Sequence, residues 1–139
     1  MENGQKGKVL IVEDDMLLSM VEERLIKRLG FEVIGKVTKG KEAIEKQEEL
    51  NPDIIVMDIS LKGDMDGIEA MEAIREKSDV PVIYLSGSGD RYSLERAKKT
   101  GFTDFLTKPV TGGDLKEPLY SAMNAHNANS GNSQILKSA

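Results

Sequence analysis

A chain of 139 residues with an apolar share of 39% is long enough for one domain with a modest core. Its formal net charge of −5 excludes the broad basic footprint that nucleic-acid binding requires. The absence of cysteine excludes a disulfide framework and a thiolate metal site. No apolar run approaches the ~18 residues of a membrane span, and the first seven residues lack a signal-peptide core. These features fit a cytoplasmic protein.

Residues 1–7 read as a short polar arm. Residues 8–12, Lys-Val-Leu-Ile-Val, form a strand that Glu13-Asp14-Asp15 ends. Asp15 suits a helix cap, because a short carboxylate accepts from free backbone amides. The helix that follows carries Leu18, Val21, Leu25 and Leu29 at helical spacing, which predicts that they face inward. Glu22, Glu23, Lys27 and Arg28 are then expected outside, and Gly30 stops the helix. Residues 31–37 alternate like an edge strand. Residues 38–50 form a second helix with Ala43, Ile44, Gln47 and Leu50 on one face, broken at Asn51-Pro52.

Asp53-Ile54-Ile55-Val56-Met57-Asp58 is a continuous apolar run that meets a carboxylate. Such a run fits a strand covered on both faces of a parallel sheet. Residues 59–66 form a polar loop containing Gly63. Residues 67–77 form a helix with Ile68, Met71 and Ile74 inward, and residues 80–85 a buried strand ending at Ser86. Gly87-Ser88-Gly89 leads into a helix over residues 90–100 with a thin apolar face, chiefly Leu94 and Ala97. A short strand over residues 103–107 delivers Lys108-Pro109. Leu115, Leu119, Ala122 and Met123 mark a last helix. Pro118 is tolerated in a first turn, which predicts a start near Asp114 or later. Residues 124–139 are rich in Asn, Ser and Gly and are expected to be a disordered tail.

Strand and helix alternate five times, the pattern of a doubly wound parallel α/β sheet. Ligands of such sheets bind at the carboxyl ends of the strands. Asp14, Asp15, Asp58, Ser86 and Lys108 all fall there. Converging carboxylates repel unless a positive centre sits among them. An all-oxygen set without Cys or His favours magnesium over zinc. Carboxylate, magnesium, hydroxyl and ammonium together suit a phosphoryl group, and a carboxylate can itself become an aspartyl phosphate.

Taken singly, each residue has an ordinary reading: Asp14 and Asp15 as caps, Ser86 as a strand end, Lys108 as a surface lysine, Phe105 as core. Asp64 and Asp66 read as loop and cap residues, and His126 lies in the tail. A haloacid-dehalogenase-like phosphatase would need Asp-x-Asp, but Asp58-Ile59-Ser60 lacks the second Asp. A receiver-like module that is never phosphorylated would lack the acidic pair or the lysine.

In order and spacing, Val-Glu-Asp14-Asp15, Val-Met-Asp58, Leu-Ser86-Gly and Thr-Lys108-Pro109 resemble the receiver domain of two-component response regulators, over residues 8–123. The resemblance implies a flavodoxin-like five-stranded sheet of order 2-1-3-4-5 with helices on both faces. It implies that Asp58 accepts a phosphoryl group from a sensor histidine kinase. Asp15 and Asp58 would bind Mg2+ with the backbone carbonyl of Ser60, and Asp14 would act through a metal-bound water. Ser86 and Lys108 would grip the phosphoryl oxygens, and Phe105 would occupy the aromatic switch position. Ser60 and Ser88 border the site and are expected to tune dephosphorylation. The fourth helix, fifth strand and last helix would form the surface where partners or a second copy dock, with no direct nucleic-acid or membrane contact. The segment after Asp58 is one residue longer than the common receiver pattern and lacks its proline.

Overall fold

The computed structural model describes residues 6–87 and 91–138, with side chains to Ala125. Five strands form one parallel sheet: β1 (Lys8–Val12), β2 (Glu32–Val37), β3 (Ile54–Asp58), β4 (Val82–Ser86) and β5 (Asp104–Thr107). Their spatial order is β2-β1-β3-β4-β5, the order expected. Between them run α1 (Met16–Arg28), α2 (Gly40–Leu50), α3 (Gly67–Arg75) and α4 (Arg91–Lys98), and α5 (Gly112–Ser138) follows β5.

The continuous apolar runs exist because both faces of the central strands are covered. Every residue of β3 and β4 is buried. Val9, Ile11, Ile54, Val56, Ile83 and Leu85 pack with Ile26 of α1 and Leu115, Leu119 and Ala122 of α5. Leu10, Val12, Ile55, Met57, Val82 and Tyr84 point the other way, to Ala43, Ile68, Met71, Ile74 and Ala97 of α2, α3 and α4. This two-residue alternation of a strand inserts two independent layers.

Two expectations are corrected. On α1 the buried residues are Ser19, Glu22 and Ile26. Val21, expected inside, is exposed, and Glu22, expected outside, is 2% exposed. The helix carries more apolar residues than one face can bury, so its capped start and the sheet beneath decide which ones go in. At the other end, α5 begins at Gly112, because Thr111 and Asp114 cap it reciprocally: Thr111 N–H donates to Asp114 Oδ2 (2.9 Å) and Asp114 N–H to Thr111 Oγ1 (3.1 Å). Pro118 therefore lies beyond the first turn, buried, and leaves one helical carbonyl without its usual donor. The helix runs on through Ser138, where the composition suggests a frayed tail. Finally, the arm is tied down by residue 6. Lys6 N–H donates to Gly30 O (2.9 Å), and its ammonium bonds Leu29 O and the Tyr120 hydroxyl.

Candidate functional site at the carboxyl edge of the sheet

β1 leaves the sheet at Val12, but the next amide still pairs: Glu13 N–H donates to Val37 O (3.0 Å). Glu13 thus stays in the strand direction and is 1% exposed. One strand over, Asp58 closes β3, also 1% exposed. Carboxylate oxygens of Glu13, Asp14 and Asp58 lie within 4.8 Å of one another.

Asp15 does not join them. Its Oδ1 accepts from Leu18 N–H (3.0 Å) and caps α1. The acidic pair is therefore Glu13-Asp14, one residue earlier than expected from Asp14-Asp15. The signal for it was present: Glu13 is the first carboxylate after the apolar strand. Its pairing to β2, which keeps it in the sheet, is a tertiary fact.

Asp58 is held unevenly. Its Oδ1 accepts from Ser60 N–H (3.1 Å) and from Lys108 Nζ (3.1 Å), while Oδ2 has no partner among the described residues. Burial, reinforced by the Glu13 charge, pushes the Asp58 carboxyl up to about 6; Lys108 and the Ser60 amide pull against this. Lys108 also reaches Glu13 Oε1 (3.3 Å). Burial alone would depress its ammonium, but the Asp58 and Glu13 charges outweigh that and hold it above the usual lysine range.

Glu22 of α1 is an unexpected member. Burial and the adjacent Glu13 carboxylate push its carboxyl up to about 9. Sequence periodicity hid it by assigning it to the outer face.

The longer loop after Asp58 closes on the same pocket. Ile59 and Leu61 are buried beneath it, and Lys62 N–H donates to Asp14 Oδ2 (2.9 Å). Gly67 lets the loop return: a Cβ there would stand 2.2 Å from the Asp58 carbonyl oxygen. Asp66 and Glu69 then start α3 with a capping box, and Asp66 also pairs with Arg96 of α4 (2.8 Å).

Ser86 closes β4, 2% exposed, in register with Thr107, and its carbonyl accepts from Lys108 N–H (2.8 Å). Asp58, Ser86 and Lys108 are thus brought to one edge by adjacent parallel strands. The side chain of Ser60 is exposed. Phe105 is half-buried against Tyr84 and Phe102, with ring centroids 6.3 and 5.9 Å away. Ser88 lies outside the described residues.

Three carboxylates face one ammonium, and one buried carboxylate oxygen has no donor among the described residues. A hard divalent cation would supply the missing positive charge. The all-oxygen donor set of Glu13, Asp14 and Asp58 fits magnesium.

Comparison with known proteins agrees. Residues 9–120 match the family described as response regulator receiver domain. The chain is 37% identical over 113 residues to the chemotaxis protein CheY of Thermotoga maritima, covering 81% of this chain and 93% of that protein. It is 41% identical over 105 residues to a protein-glutamate methylesterase/protein-glutamine glutaminase of Archaeoglobus fulgidus; these are 73% of this chain but only 30% of that longer protein. Among solved structures, the response regulator domain of Thermotoga maritima CheB superposes with a TM-score of 0.75 at 34% identity, covering 84% of this chain and 96% of that one. The signal receiver domain of a modulated diguanylate cyclase from Desulfovibrio desulfuricans gives 0.82 at 31% identity, covering 88% and 98%. The carboxyl-edge pocket is thus built on a receiver fold, and the chain belongs to the response regulator receiver domain family of two-component signalling.

Proposed function

We propose that this protein is a phosphorylation-dependent switch in which Asp58 accepts a phosphoryl group from a sensor histidine kinase. The observation that carries this reading is the state of Asp58: buried at a strand end, one oxygen gripped by Lys108 and the Ser60 amide, the other without a donor among the described residues. An Asp58 oxygen attacks phosphorus, the O–P bond forms as the donor's N–P bond breaks, and the electron pair leaves with the imidazole. Asp14 and Asp58, with the backbone carbonyl of Ser60, would hold Mg2+, with Glu13 as the third carboxylate of the donor set. Asp15 keeps its capping role. Bound there, Mg2+ would neutralise charge on the phosphoryl oxygens. Lys108 is already salt-bridged to Asp58 and is placed to follow the new charge. Ser86, one strand over, is placed to donate its hydroxyl.

Met16, Leu17 and Met20 are 58–69% exposed on α1, starting two residues after Asp14. An apolar surface beside the pocket suits the approach of a protein donor. On the far side, α4 buries only Ala97 fully and is fastened to α3 through Arg96 and Asp66. A segment so thinly packed opens at low cost. Inward movement of Ser86 with repacking of Phe105 against Tyr84 would alter the α4–β5–α5 surface, where a partner or second copy docks. This is a shift between pre-existing states. Ser60 and Ser88 would set access of water to the acyl phosphate, and the setting is cytoplasmic.

Incubation with acetyl phosphate and Mg2+ should add one phosphoryl group by intact mass, with alkali-labile linkage. Asp58→Asn should abolish it. Equal labelling of Asp58→Asn would overturn the assignment.

A further inference from the structure

The loop after Asp58 reaches two carboxylates that belong to different strand ends. Ile59 N–H still pairs with Leu85 O (3.0 Å), so the chain leaves the sheet one residue beyond Asp58. Side chains then alternate: Ile59 and Leu61 are buried, and Ser60 and Lys62 are exposed. The two residues whose side chains turn out give their amides to the pocket. Ser60 N–H donates to Asp58 Oδ1 (3.1 Å), and Lys62 N–H donates to Asp14 Oδ2 (2.9 Å). Asp58 closes β3 and Asp14 follows β1, so one short loop restrains both.

We propose that residues 59–67 are a spacer for the cation: the Ser60 and Lys62 amides fix Asp58 and Asp14 at a set separation, and so favour a small divalent ion over a larger one. This rests on the reading of Glu13, Asp14 and Asp58 as a magnesium donor set.

The loop is anchored firmly enough to act in this way. Leu61 sits in the core layer shared with Ala43, Ile68 and Met71. Met65 packs on the start of α2, where a Cβ on Gly40 would stand 3.1 Å from Met65 Cγ. Gly67 N–H donates to Ile59 O (2.9 Å) and closes the loop on itself. Between these anchors Gly63 turns the chain with φ +105°, and nothing lies within 4 Å of the place a Cβ would take. Backbone conformation, not crowding, therefore calls for glycine there. The turn follows Lys62 directly and sets where its amide points. Magnesium demands near-ideal octahedral geometry at short oxygen distances, whereas calcium accepts longer and more variable ones. Carboxylates held by amides of an anchored loop meet the first requirement, and carboxylates free to spread meet the second. Outer hydrogen bonds to metal ligands commonly contribute about 10- to 100-fold in metal affinity.

The test removes one donor. In a semisynthetic chain an ester replaces the peptide bond between Leu61 and Lys62, which deletes the Lys62 N–H and keeps every side chain. Mg2+ and Ca2+ are each titrated into the protein, and affinity is read from amide chemical shifts. We expect the ester to bind Mg2+ on the order of tenfold more weakly, with a smaller loss for Ca2+. Gly63→Ala should shift Mg2+ affinity in the same direction. Gly101→Ala, at a second open position of positive φ (+68°) before β5, should leave it unchanged. Wild-type Mg2+ affinity in the ester overturns the proposal, as do equal affinities in the two alanine variants. Equal losses for the two ions also overturn it, because a loop that merely supports the pocket would give that result. If the wild type takes up no Mg2+, the magnesium reading fails and the spacer with it; if it binds and the ester matches it, the spacer alone fails.

Discussion

The two ends of the sheet treat buried charge in opposite ways. At the amino ends of β4 and β5, the Arg75 guanidinium meets four backbone carbonyls: Thr100 O (2.6 Å), Ser78 O (3.2 Å), Val80 O (2.6 Å) and Gly101 O (2.9 Å). Its donors close loops that would otherwise leave carbonyls unpaired. At the carboxyl ends of β1 and β3, Glu13 and Asp58 crowd around Lys108, and among the described residues Asp58 Oδ2 and the nearby Glu22 Oε1 have no donor. A satisfied buried ion is architecture, while an unsatisfied one marks where a ligand or a moving group completes the set.

Breaking the satisfied end should cost most. Arg75→Met strands four carbonyls and should destabilise the fold by about 3 kcal/mol, seen in urea unfolding, since hydrogen bonds to a charged group contribute about 1.5–3 kcal/mol each. Acetyl phosphate labelling of the folded fraction should be unchanged. A loss of labelling per folded molecule would erase the distinction between the two ends.

Completing the unsatisfied end should stabilise it. Mg2+ at about a hundred times its dissociation constant should raise stability by about 2.7 kcal/mol, and this gain should disappear in Asp58→Asn. Its pH dependence follows from Asp58. The folded carboxyl at about 6 lies above the ordinary 3.8, so without metal the folded state binds the extra proton and loses stability as pH rises through that window. Mg2+ competes with that proton, so its stabilisation should fall by about half between pH 7.5 and pH 5. Thermal unfolding at the two pH values checks this.

Removing the internal acid should sharpen the contrast further. Glu22→Leu should stabilise the fold by about 2 kcal/mol at pH 7, the scale of an imperfectly paired buried polar group. The sign is set by the same linkage. Glu22 is raised from 4.5 to about 9, so the folded state holds a proton that the unfolded chain has released, and stability falls with rising pH across that range. In Glu22→Leu this slope should flatten.

The smallest effect is expected midway, at the ion pair joining α3 and α4. Arg96 and Asp66 are about a quarter exposed, so Arg96→Ala should cost only about 0.5 kcal/mol. It should nevertheless speed amide exchange in α4 more than in α1, because α4 has few other anchors. Unchanged exchange would show that the pair does not restrain the proposed output surface.

Much of this molecule was legible before the fold was seen. Hydrophobic runs, glycine stops and five alternations lead directly to a doubly wound sheet, because strands covered on both faces must be apolar throughout and their crossovers must be helical. The same runs bring Asp58, Ser86 and Lys108 to strand ends, since a parallel sheet puts all those ends on one edge. Helix phase was not legible in this way. Leu18, Val21, Leu25 and Leu29 have sound helical spacing, and Leu25 and Leu29 do pack against the core, but the fully buried residues of α1 are Ser19, Glu22 and Ile26, and Val21 is exposed. Spacing tells which residues share a face, but the sheet contact decides which face turns inward. That choice buried Glu22. It was also tertiary pairing, Glu13 N–H to Val37 O, that put Glu13 into the pocket, while Asp15 turned away to cap α1. Local sequence carries the identities and order of the charged groups. Only packing decides which of them lose water, and loss of water is what raises the Asp58 and Glu22 carboxyls above the ordinary carboxylate range.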